Sequence, residues 1–371
     1  MKFTSSYQTW GRGINAVQNA TGSVISNPIV ENIFVKCEGD KVCFIATNLS
    51  LTIRCEGEAK VEESGSIVLP KEEITKVVRE FPSEDVIFSE SDGVVRIQCG
   101  EFRGKLKGQS GDLFPPFMEV EEGEELRLES GVLKDIIRKT LYVTSQEKSR
   151  YELNGVKFDK VETEMKCVAT DGRRMALFRY QKEEMPSNTF SPLVPVNALQ
   201  EIQHSFPDEG EVKMKVQERK IQFECGDSTI ISNLLTDKFP QYDRIIPQEG
   251  DIRIVMDREK MLSGVRRAAI FSSMDTGMII VRVENGKIEI FGERSEVGGE
   301  GRDYVNTDYE GEKLEMRYNY KFLMDFLRVM DEEQVELKMW DQKKPGIFRG
   351  VGNDSYLYVL MPMKPPEDES E

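Results

Sequence analysis

The sequence predicts an α+β chain of three similar domains, each with two helices packed on antiparallel sheets. A helix-like segment at residues 70–82 has a counterpart at 195–207 and a diverged third copy at 319–327, about 125 residues apart. The stretch 45–51 likewise aligns with 168–174. A unit of this length can bury a core of its own. We therefore predict three consecutive domains, at residues 1–124, 125–249 and 250–371.

Hydrophobic periodicity places the elements inside each domain. Ile74, Val77, Val78 and Phe81 follow the i, i+3, i+4, i+7 pattern of a helix with one buried face. Similar patterns predict helices at 8–20, 71–81, 130–143, 196–206, 257–271 and 319–330. Alternating runs such as 94–99 and 212–216 predict half-buried strands. Turn signals at Asp92-Gly93, Asn154-Gly155 and Asn285-Gly286 separate elements, and 119–125 and 248–251 are linker candidates.

Composition narrows the class of protein. No apolar run approaches the roughly 18 residues of a membrane span. The N-terminus leads into no signal-peptide core, so a cytoplasmic location is expected. The six cysteines show no Cys-x-x-Cys pairing and lie mostly in apolar strand-like runs. They are predicted to be reduced, buried thiols rather than metal ligands or disulfides, and neither a metal nor a cofactor is expected.

The charge has two interpretations. A net charge of −16 argues against a nucleic-acid partner. The six predicted helices, however, hold more Lys and Arg than Asp and Glu. These cations are either ordinary solvated helix faces or, if the helices share one surface, a mildly basic surface inside an acidic shell.

Four motifs occur in order along the chain: 150–155 (RYELNG), 169–176 (ATDGRRMA), 239–244 (FPQYDR) and 358–364 (YVLMPMK). Together with the opening Met1-Lys2-Phe3-Thr4, they closely resemble the bacterial replicative sliding clamp family, the beta subunit of DNA polymerase III. The resemblance covers essentially the whole chain. It implies the DNA clamp fold, with two chains closing head to tail into a ring, and a processivity factor without catalytic activity of its own.

The family resemblance implies a duplex-DNA partner that is encircled without base-specific readout. A ring that slides needs only a weakly basic lining, because each neutralised phosphate adds affinity through counterion release. The residues expected to face DNA are Lys134, Arg138, Lys139, Arg150, Tyr151, Lys260, Arg266, Arg267, Lys321 and Arg328.

The resemblance also implies a hydrophobic pocket for short linear peptides of polymerases, the clamp loader and repair factors. Methionine and aliphatic side chains suit an adaptable apolar cavity, and basic residues suit acidic peptide groups at its rim. The implied wall consists of Leu153, Thr170, Gly172, Arg173, Arg174, Met175, Pro240, Arg244, Ile245, Gly346, Val359, Leu360, Met361, Pro362, Met363 and Lys364. Taken alone, residues 361–364 have the pattern of an ordinary core strand.

For the homodimer, the resemblance implies that helix 71–81 meets helix 257–271 of the other chain, with Ile74, Val77, Phe81, Ile270 and Phe271 at the interface. The alternative is that Ile270 and Phe271 belong to the core of their own domain.

Some positions depart from the family pattern. Residues 24–26 (VIS) lack the basic residue common before Asn27-Pro28, the loop after Pro195 also lacks basic residues, and Arg173 stands where histidine is common. An acidic tail at 365–371 is predicted to be disordered. These departures leave open a specialised clamp paralogue with altered DNA handling, or a clamp-like scaffold that binds peptides without normal loading on DNA.

An enzyme is the competing class, and its support is thin. His204 is the single histidine and lies in a helix pattern. The glycine-rich run 292–301 lacks the Lys-Ser/Thr ending of a phosphate-binding loop and is interpreted as a flexible connection. Asp171-Gly172 is better explained as a turn than as a catalytic carboxylate, since no second carboxylate or base recurs beside it.

Overall fold

The computed structural model describes residues 1–22, 27–117, 119–147, 149–182, 185–247, 250–294 and 298–364. Residues 24–26 and 365–371, on which two of the predictions above rest, lie outside the described residues, as does part of the 248–251 linker candidate. The chain divides into two compact units. Unit 1 comprises Met1–Ile137 and Pro186–Thr236, and unit 2 comprises Arg138–Met185 and Asp237–Glu371.

All six predicted helices are present, each within a few residues of its expected bounds. They are α1 (Tyr7–Val17), α2 (Lys71–Arg79), α3 (Ser130–Thr140), α4 (Val196–Ser205), α5 (Arg258–Ala269) and α6 (Tyr320–Val329). Helices α1 and α3 continue into the 3-10 turns Gln18–Ala20 and Leu141–Val143. Side-chain caps fix several starts: Ser6 accepts from the Thr9 amide at 3.1 Å and Asp257 accepts from the Lys260 amide at 2.8 Å.

The strands in chain order begin with β1 (Lys2–Ser6), β2 (Ile33–Glu38), β3 (Lys41–Thr47), β4 (Leu51–Glu58), β5 (Lys60–Glu63), β6 (Gly65–Leu69), β7 (Asp85–Ser91), β8 (Val94–Cys99), β9 (Phe102–Lys107), β10 (Gln109–Ser110), β11 (Glu124–Glu129), β12 (Gly155–Val161) and β13 (Glu164–Thr170). They continue with β14 (Arg174–Gln181), β15 (Leu193–Pro195), β16 (Glu211–Val216), β17 (Lys220–Cys225), β18 (Ser228–Asn233), β19 (Ile252–Asp257), β20 (Met278–Glu284), β21 (Lys287–Arg294), β22 (Gly299–Asn306), β23 (Leu314–Asn319), β24 (Gln334–Met339), β25 (Gly346–Gly350) and β26 (Tyr356–Leu360).

Unit 1 contains two antiparallel sheets. One has the strand order β5-β1-β7-β8-β9, and the other has the order β10-β6-β2-β3-β4-β18-β17-β16-β11. Its core is rich in aromatic rings. Trp10 of α1 lies 5.1 Å from Phe44 and 5.4 Å from Phe88, measured between ring centroids. All three side chains are fully buried, so α1 is held against strands from both sheets.

Unit 2 is built in the same way. In its larger sheet β12, β13, β14, β26, β25, β24 and β19 pair in that order, and its smaller sheet has the order β22-β21-β20-β23. The buried face of α6 contributes Phe326, whose ring centroid lies 5.5 Å from that of Phe348 and 5.2 Å from that of Tyr358. The strand ends Arg174 and Leu360 face each other across the β14–β26 pair.

Two of the predicted turns are tight hairpins, because Asp92-Gly93 and Asn285-Gly286 all have positive φ. The third signal differs: Asn154 ends a 3-10 turn and Gly155 begins β12. The glycine-rich run 292–301 is not a flexible connection in its described part. Gly292 lies in β21, and Gly299 and Gly301 lie in β22.

Candidate functional site

The segment between β13 and β14 is a tight polar turn. The Thr170 hydroxyl donates to the Arg174 carbonyl at 2.7 Å and accepts from the Gly172 amide at 3.1 Å. One Asp171 carboxylate oxygen accepts from the amides of Arg173 and Arg174 at 2.9 and 3.1 Å. Gly172 has a φ of 87°, which favours glycine. Asp171 is therefore a turn-forming residue, as the sequence indicated, and its carboxylate is engaged.

Arg174 lies beneath this turn with its guanidinium buried. The Nε group donates to Asp171 at 2.9 Å, and one terminal nitrogen donates to Asp325 of α6 at 2.9 Å. The other donates to the Tyr142 carbonyl at 3.0 Å, and the guanidinium lies 4.1 Å from the centroid of the Phe322 ring. Burial by itself disfavours the charged form, but Tyr358 and the two carboxylates outweigh it and raise the pKa of Arg174. Arg174 thus positions the turn from below.

An apolar floor lies next to the turn. It is a cluster of buried side chains from β13, β14, β25, β26 and the 3-10 turn Tyr242–Arg244: Val168, Met175, Leu177, Tyr242, Ile347, Leu357 and Val359, with Phe239 and Ile246 packed against them. Strand register creates the cluster, because Met175 and Ile347 both pair with Val359. The Tyr242 hydroxyl donates to Asp159 at 2.6 Å, which anchors the ring.

The rim of the floor is apolar and basic. Met361 is 45% exposed and Ile245 is 42% exposed, which is high for such side chains. The Met361 amide donates to the Arg173 carbonyl at 3.1 Å, and the Met363 amide donates to the Arg317 carbonyl at 2.7 Å. Arg173, Arg244 and Lys364 are exposed, while Pro240, Pro362 and Met363 are half-buried. Exposed apolar side chains beside free cations can hold a peptide that carries both apolar and acidic groups.

The structure brings most of the predicted pocket residues together. The turn and the β14–β26 and β25–β26 pairs join Thr170, Gly172, Arg173, Arg174, Met175, Gly346, Val359, Leu360 and Met361. Leu153, Thr170, Gly346 and Leu360 are buried and support the site from within. The Leu153 carbonyl accepts from the Ser145 amide at 2.9 Å.

Several residues of the floor and several partners of Arg174 were not predicted from the sequence. Val168 and Leu177 lie in continuous apolar runs of β13 and β14, which predict buried strands but do not identify which side chains form the floor. No local pattern connects Arg174 with Asp325, which lies 151 residues further along the chain. Tyr142 and Phe322 are likewise brought to Arg174 only by the tertiary fold.

Three of the predicted DNA-facing cations lie on α3. Lys134, in unit 1, donates to the Phe206 carbonyl at 3.1 Å and forms an ion pair with Asp208. Arg138, in unit 2, donates to the Val329 carbonyl at 2.7 Å and to Asp331 at 2.8 Å. The prediction that Lys139 faces DNA is wrong, because its side chain is buried. Its Nζ atom lies 3.0 Å from Asp331 and 5.7 Å from the centroid of the Phe178 ring. Lys139 is not placed to contact a phosphate.

The remaining predicted DNA-facing residues are exposed, and all lie in unit 2: Arg150, Tyr151, Lys260, Arg266, Arg267, Lys321 and Arg328. Arg150 is paired with Glu147 at 3.2 Å, Arg267 is paired with Asp303, and Arg328 lies 3.8 Å from Asp325. Within the described part of the chain Arg266 has no ion-pair partner. These pairings reduce the positive charge available for DNA.

The predicted interface residues have different environments. The prediction that Ile74 lies at the interface between chains is wrong, because Ile74 is 0% exposed and belongs to the core of unit 1. Val77 is half-buried, and Phe81 packs near Trp10 and Phe102 at centroid distances of 6.3 and 6.2 Å.

At the end of α5, Ile270 is 69% exposed, whereas Phe271 is half-buried. A Cβ atom at Gly301 would lie 2.3 Å from the Phe271 ring. Phe271 therefore packs largely within unit 2, whereas most of the Ile270 side chain is exposed.

The structure also shows the surroundings of the cysteines and of the other potential metal ligands. Over the described ranges there is no group of three or more His, Cys, Asp or Glu side chains placed to hold a metal ion. All six cysteines are free thiols, and burial raises the pKa of each. Within the same ranges, no helix has the length and apolar character needed to cross a membrane.

Comparison with known proteins extends these observations. Three family models match in order: the N-terminal domain of the DNA polymerase III beta subunit at residues 1–118, its central domain at 127–241 and its C-terminal domain at 243–364. A curated beta sliding clamp from Chlamydia muridarum is 28% identical over 369 residues, covering 99% of this chain and 100% of the relative.

Solved structures are similar over the same length. A Pseudomonas aeruginosa DnaN sliding clamp bound to griselimycin has a TM-score of 0.93 and 25% identity, covering 98% of this chain and 100% of the other. The C. crescentus beta sliding clamp, solved with PEG bound at a beta-motif tethering region, has a TM-score of 0.91 and 28% identity, covering 98% of this chain and 99% of the other.

Proposed function

The chain belongs to the DNA polymerase III beta subunit family, and on that premise we propose that it works as a ring-shaped homodimer. The ring encircles duplex DNA and tethers a polymerase, the clamp loader and repair proteins through short peptides. It acts as a processivity factor and has no chemistry of its own. Its three similar domains, each with two helices on antiparallel sheets, are those of a sliding clamp.

The observation that carries the peptide-docking proposal is the apolar floor with its exposed rim in unit 2. Met361 and Ile245 expose apolar surface beside the buried cluster around Met175 and Val359. Because Arg174 is fully engaged with Asp171 and Asp325, the exposed cations Arg173, Arg244 and Lys364 are left to meet acidic groups of a peptide. A methionine-rich wall adapts to different side chains, which suits a site shared by several partners.

The test of docking uses a pentapeptide, acetyl-Ser-Asp-Leu-Phe-Gly-amide, in which photoreactive benzoylphenylalanine replaces Phe. Crosslinks are mapped by mass spectrometry. Met363→Ala should lower crosslinking at residues 240–245 and 359–364 by about tenfold, since a few central anchors carry most of such an interface. Met274→Ala, which truncates a methionine that is 81% exposed outside the floor, is the matched control. Equal crosslinking of both variants would remove this cleft from consideration.

For DNA, we propose that the exposed cations of unit 2 face the duplex and give weak, sequence-independent contacts. Arg266→Glu combined with Arg150→Glu should reduce salt-sensitive retention on nicked circular DNA after loading. Lys60→Glu, which reverses the charge of an exposed lysine on β5 outside both the proposed lining and the peptide rim, is the control. Retention of the parent ring on circular DNA and its loss on linearised DNA separates a clamp from a scaffold that no longer loads.

A further inference from the structure

A turn in unit 1 has the same hydrogen bonds as the Asp171–Arg174 turn. The Thr47 hydroxyl donates to the Leu51 carbonyl at 3.0 Å and accepts from the Leu49 amide at 3.0 Å. The Asn48 side-chain oxygen accepts from the amides of Ser50 and Leu51 at 3.0 and 2.8 Å. Leu49 has a φ of 72°, where the unit 2 turn has Gly172 at 87°. The internal repeat is thus preserved at the level of individual hydrogen bonds.

Strand register extends the equivalence beyond the turn. Leu51 pairs with Ser232 as Arg174 pairs with Leu360, so Ile231 and Asn233 occupy the positions of Val359 and Met361. The Phe-Pro pair of the unit 2 motif, at 239–240, also has a counterpart at 114–115. The turn, the last strand and the Phe-Pro segment, which form three walls of the unit 2 cleft, therefore each have a counterpart within unit 1.

These counterparts enclose a cavity of about 120 Å³. Ile45, Phe114 and Ile231 are buried and form its floor, and Leu49, which is 48% exposed, forms part of its edge. Phe114 is fixed by stacking on Phe34 at a centroid distance of 5.1 Å. A volume this small is below the roughly 300 Å³ of ordinary cofactor and metabolite pockets, but it is comparable to a single large apolar side chain.

The charge of the cavity complements an acidic partner. Lys220 lines it, and across the described residues the Lys220 ammonium has no ion-pair partner. Glu119, two residues beyond Phe117, is already paired with Arg54 at 2.5 Å. Leu51 stands at the position of the buried arginine of the unit 2 turn, is 2% exposed and carries no charge.

We propose that this cleft of unit 1 is a second docking site, which takes a short extended peptide of a partner protein. The peptide places one aliphatic or aromatic side chain over Ile45, Phe114 and Ile231 and an acidic side chain beside Lys220. The inference goes beyond the proposed function, which assigns peptide docking to unit 2. A chain with both clefts would hold two partner segments at once.

Leu49 provides a variant whose effect on binding is separable from folding. Its left-handed backbone conformation is unfavourable for a branched side chain and unstrained for glycine. Leu49→Gly therefore removes apolar surface from the edge of the cleft while relieving backbone strain, so the variant should stay folded.

The experiment uses the full chain and the same photoreactive pentapeptide, together with a copy in which Asn replaces Asp. Crosslinks to residues 45–52, 114–117 and 231–233 report on this cleft. Leu49→Gly should lower them about tenfold, as expected for removing much of one apolar side chain from the interface. Lys220→Gln should lower those from the Asp peptide about two- to fivefold and abolish the preference for Asp over Asn.

Two controls keep the result specific. Lys60→Gln neutralises an exposed lysine on β5 and should change neither set of crosslinks. Met363→Ala should reduce only the crosslinks in unit 2, so the proposals for the two clefts are tested separately. Crosslinks confined to unit 2, or unit 1 crosslinks that persist unchanged in Leu49→Gly and Lys220→Gln, would overturn the second site.

Discussion

At the residue scale, Arg174 shows how one buried charge fixes the shape of a surface. Its guanidinium is held by Asp171, Asp325 and the Tyr142 carbonyl, and these three hydrogen bonds tie the turn to α6 and to the segment before it. The exposed groups at the peptide rim depend on this turn, since the Met361 amide donates to the Arg173 carbonyl. The stability of unit 2 and the shape of its proposed docking surface are therefore coupled through one side chain.

Arg174→Met should destabilise unit 2 by about 3 kcal/mol, because it removes the buried cation that hydrogen-bonds both Asp171 and Asp325. The estimate is at the low end for a broken buried ion pair, since Asp325 is partly exposed. Arg173→Met changes the exposed neighbouring arginine and should shift stability by less than about 0.5 kcal/mol. Urea denaturation of the two variants, followed by circular dichroism, compares them. Equal midpoints would contradict the structural role of Arg174.

The buried thiols predict a pH dependence. Burial raises the pKa of Cys43 from 9.0 to about 12. Between these values the unfolded chain has lost a proton that the folded chain keeps, so stability falls as pH rises above about 9. The slope is about 1.4 kcal/mol per pH unit for one thiol. Denaturation midpoints between pH 8 and 11 should therefore decline less steeply for Cys43→Ala than for the parent, and parallel declines would disprove the assignment.

At the element scale, α1 contains two glycines with opposite surroundings. A Cβ atom at Gly13 would lie 2.3 Å from the Phe44 ring, whereas one at Gly11 would have no neighbour within 4 Å. Gly13 therefore permits the close approach of α1 to β3, while Gly11 only lowers the helix propensity.

Gly11→Ala should stabilise unit 1 by about 0.5–1 kcal/mol through helix propensity. Gly13→Ala gains the same propensity but should destabilise by about 1–3 kcal/mol, because the aromatic core has no room for another methyl group. Thermal melting of the two single variants makes the comparison. A similar shift for both would show that packing at Gly13 is looser than the structure indicates.

The helices were predictable because each carries its own periodic signal, as Ile74 and Val78 do in α2. Periodicity shows that a side chain is apolar and on one helix face, but it does not show whether that face packs within its own chain or against a partner chain. Ile74 was assigned to the interface between chains, yet it is completely buried within unit 1. The prediction for Lys139 was wrong for a related reason. Its burial depends on Asp331 and Phe178, which lie far away in sequence. Gly299 and Gly301 were assigned to a flexible connection because glycine has a low strand propensity. They lie in β22 because that strand pairs along its length with β21, a contact that propensity does not show.

At the scale of the whole molecule, a closed ring of two chains contains two copies of one head-to-tail contact related by a two-fold axis. Such a contact needs apolar side chains that the free chain leaves exposed. Ile270, at the end of α5, meets that requirement at 69% exposure. Phe271 does not meet it to the same degree, because its ring is packed against Gly301 within unit 2.

Ile270→Glu should therefore give a folded monomer. The substitution places a carboxylate in an apolar contact, which costs several kcal/mol at each joint, and the symmetry ensures that one change strikes both joints. Folding should be unaffected, because Ile270 is largely exposed in the single chain. Sedimentation should show a dimer for the parent and a monomer for the variant, with equal melting temperatures under conditions where the parent is dissociated.

Leu113→Glu, at a residue of unit 1 that is 62% exposed, is the matched control and should remain dimeric. Phe271→Glu should instead lower the melting temperature, since the buried part of its ring contributes to unit 2 itself. If Ile270→Glu sediments as a dimer, the end of α5 lies outside the joint, and the ring must close through other surfaces.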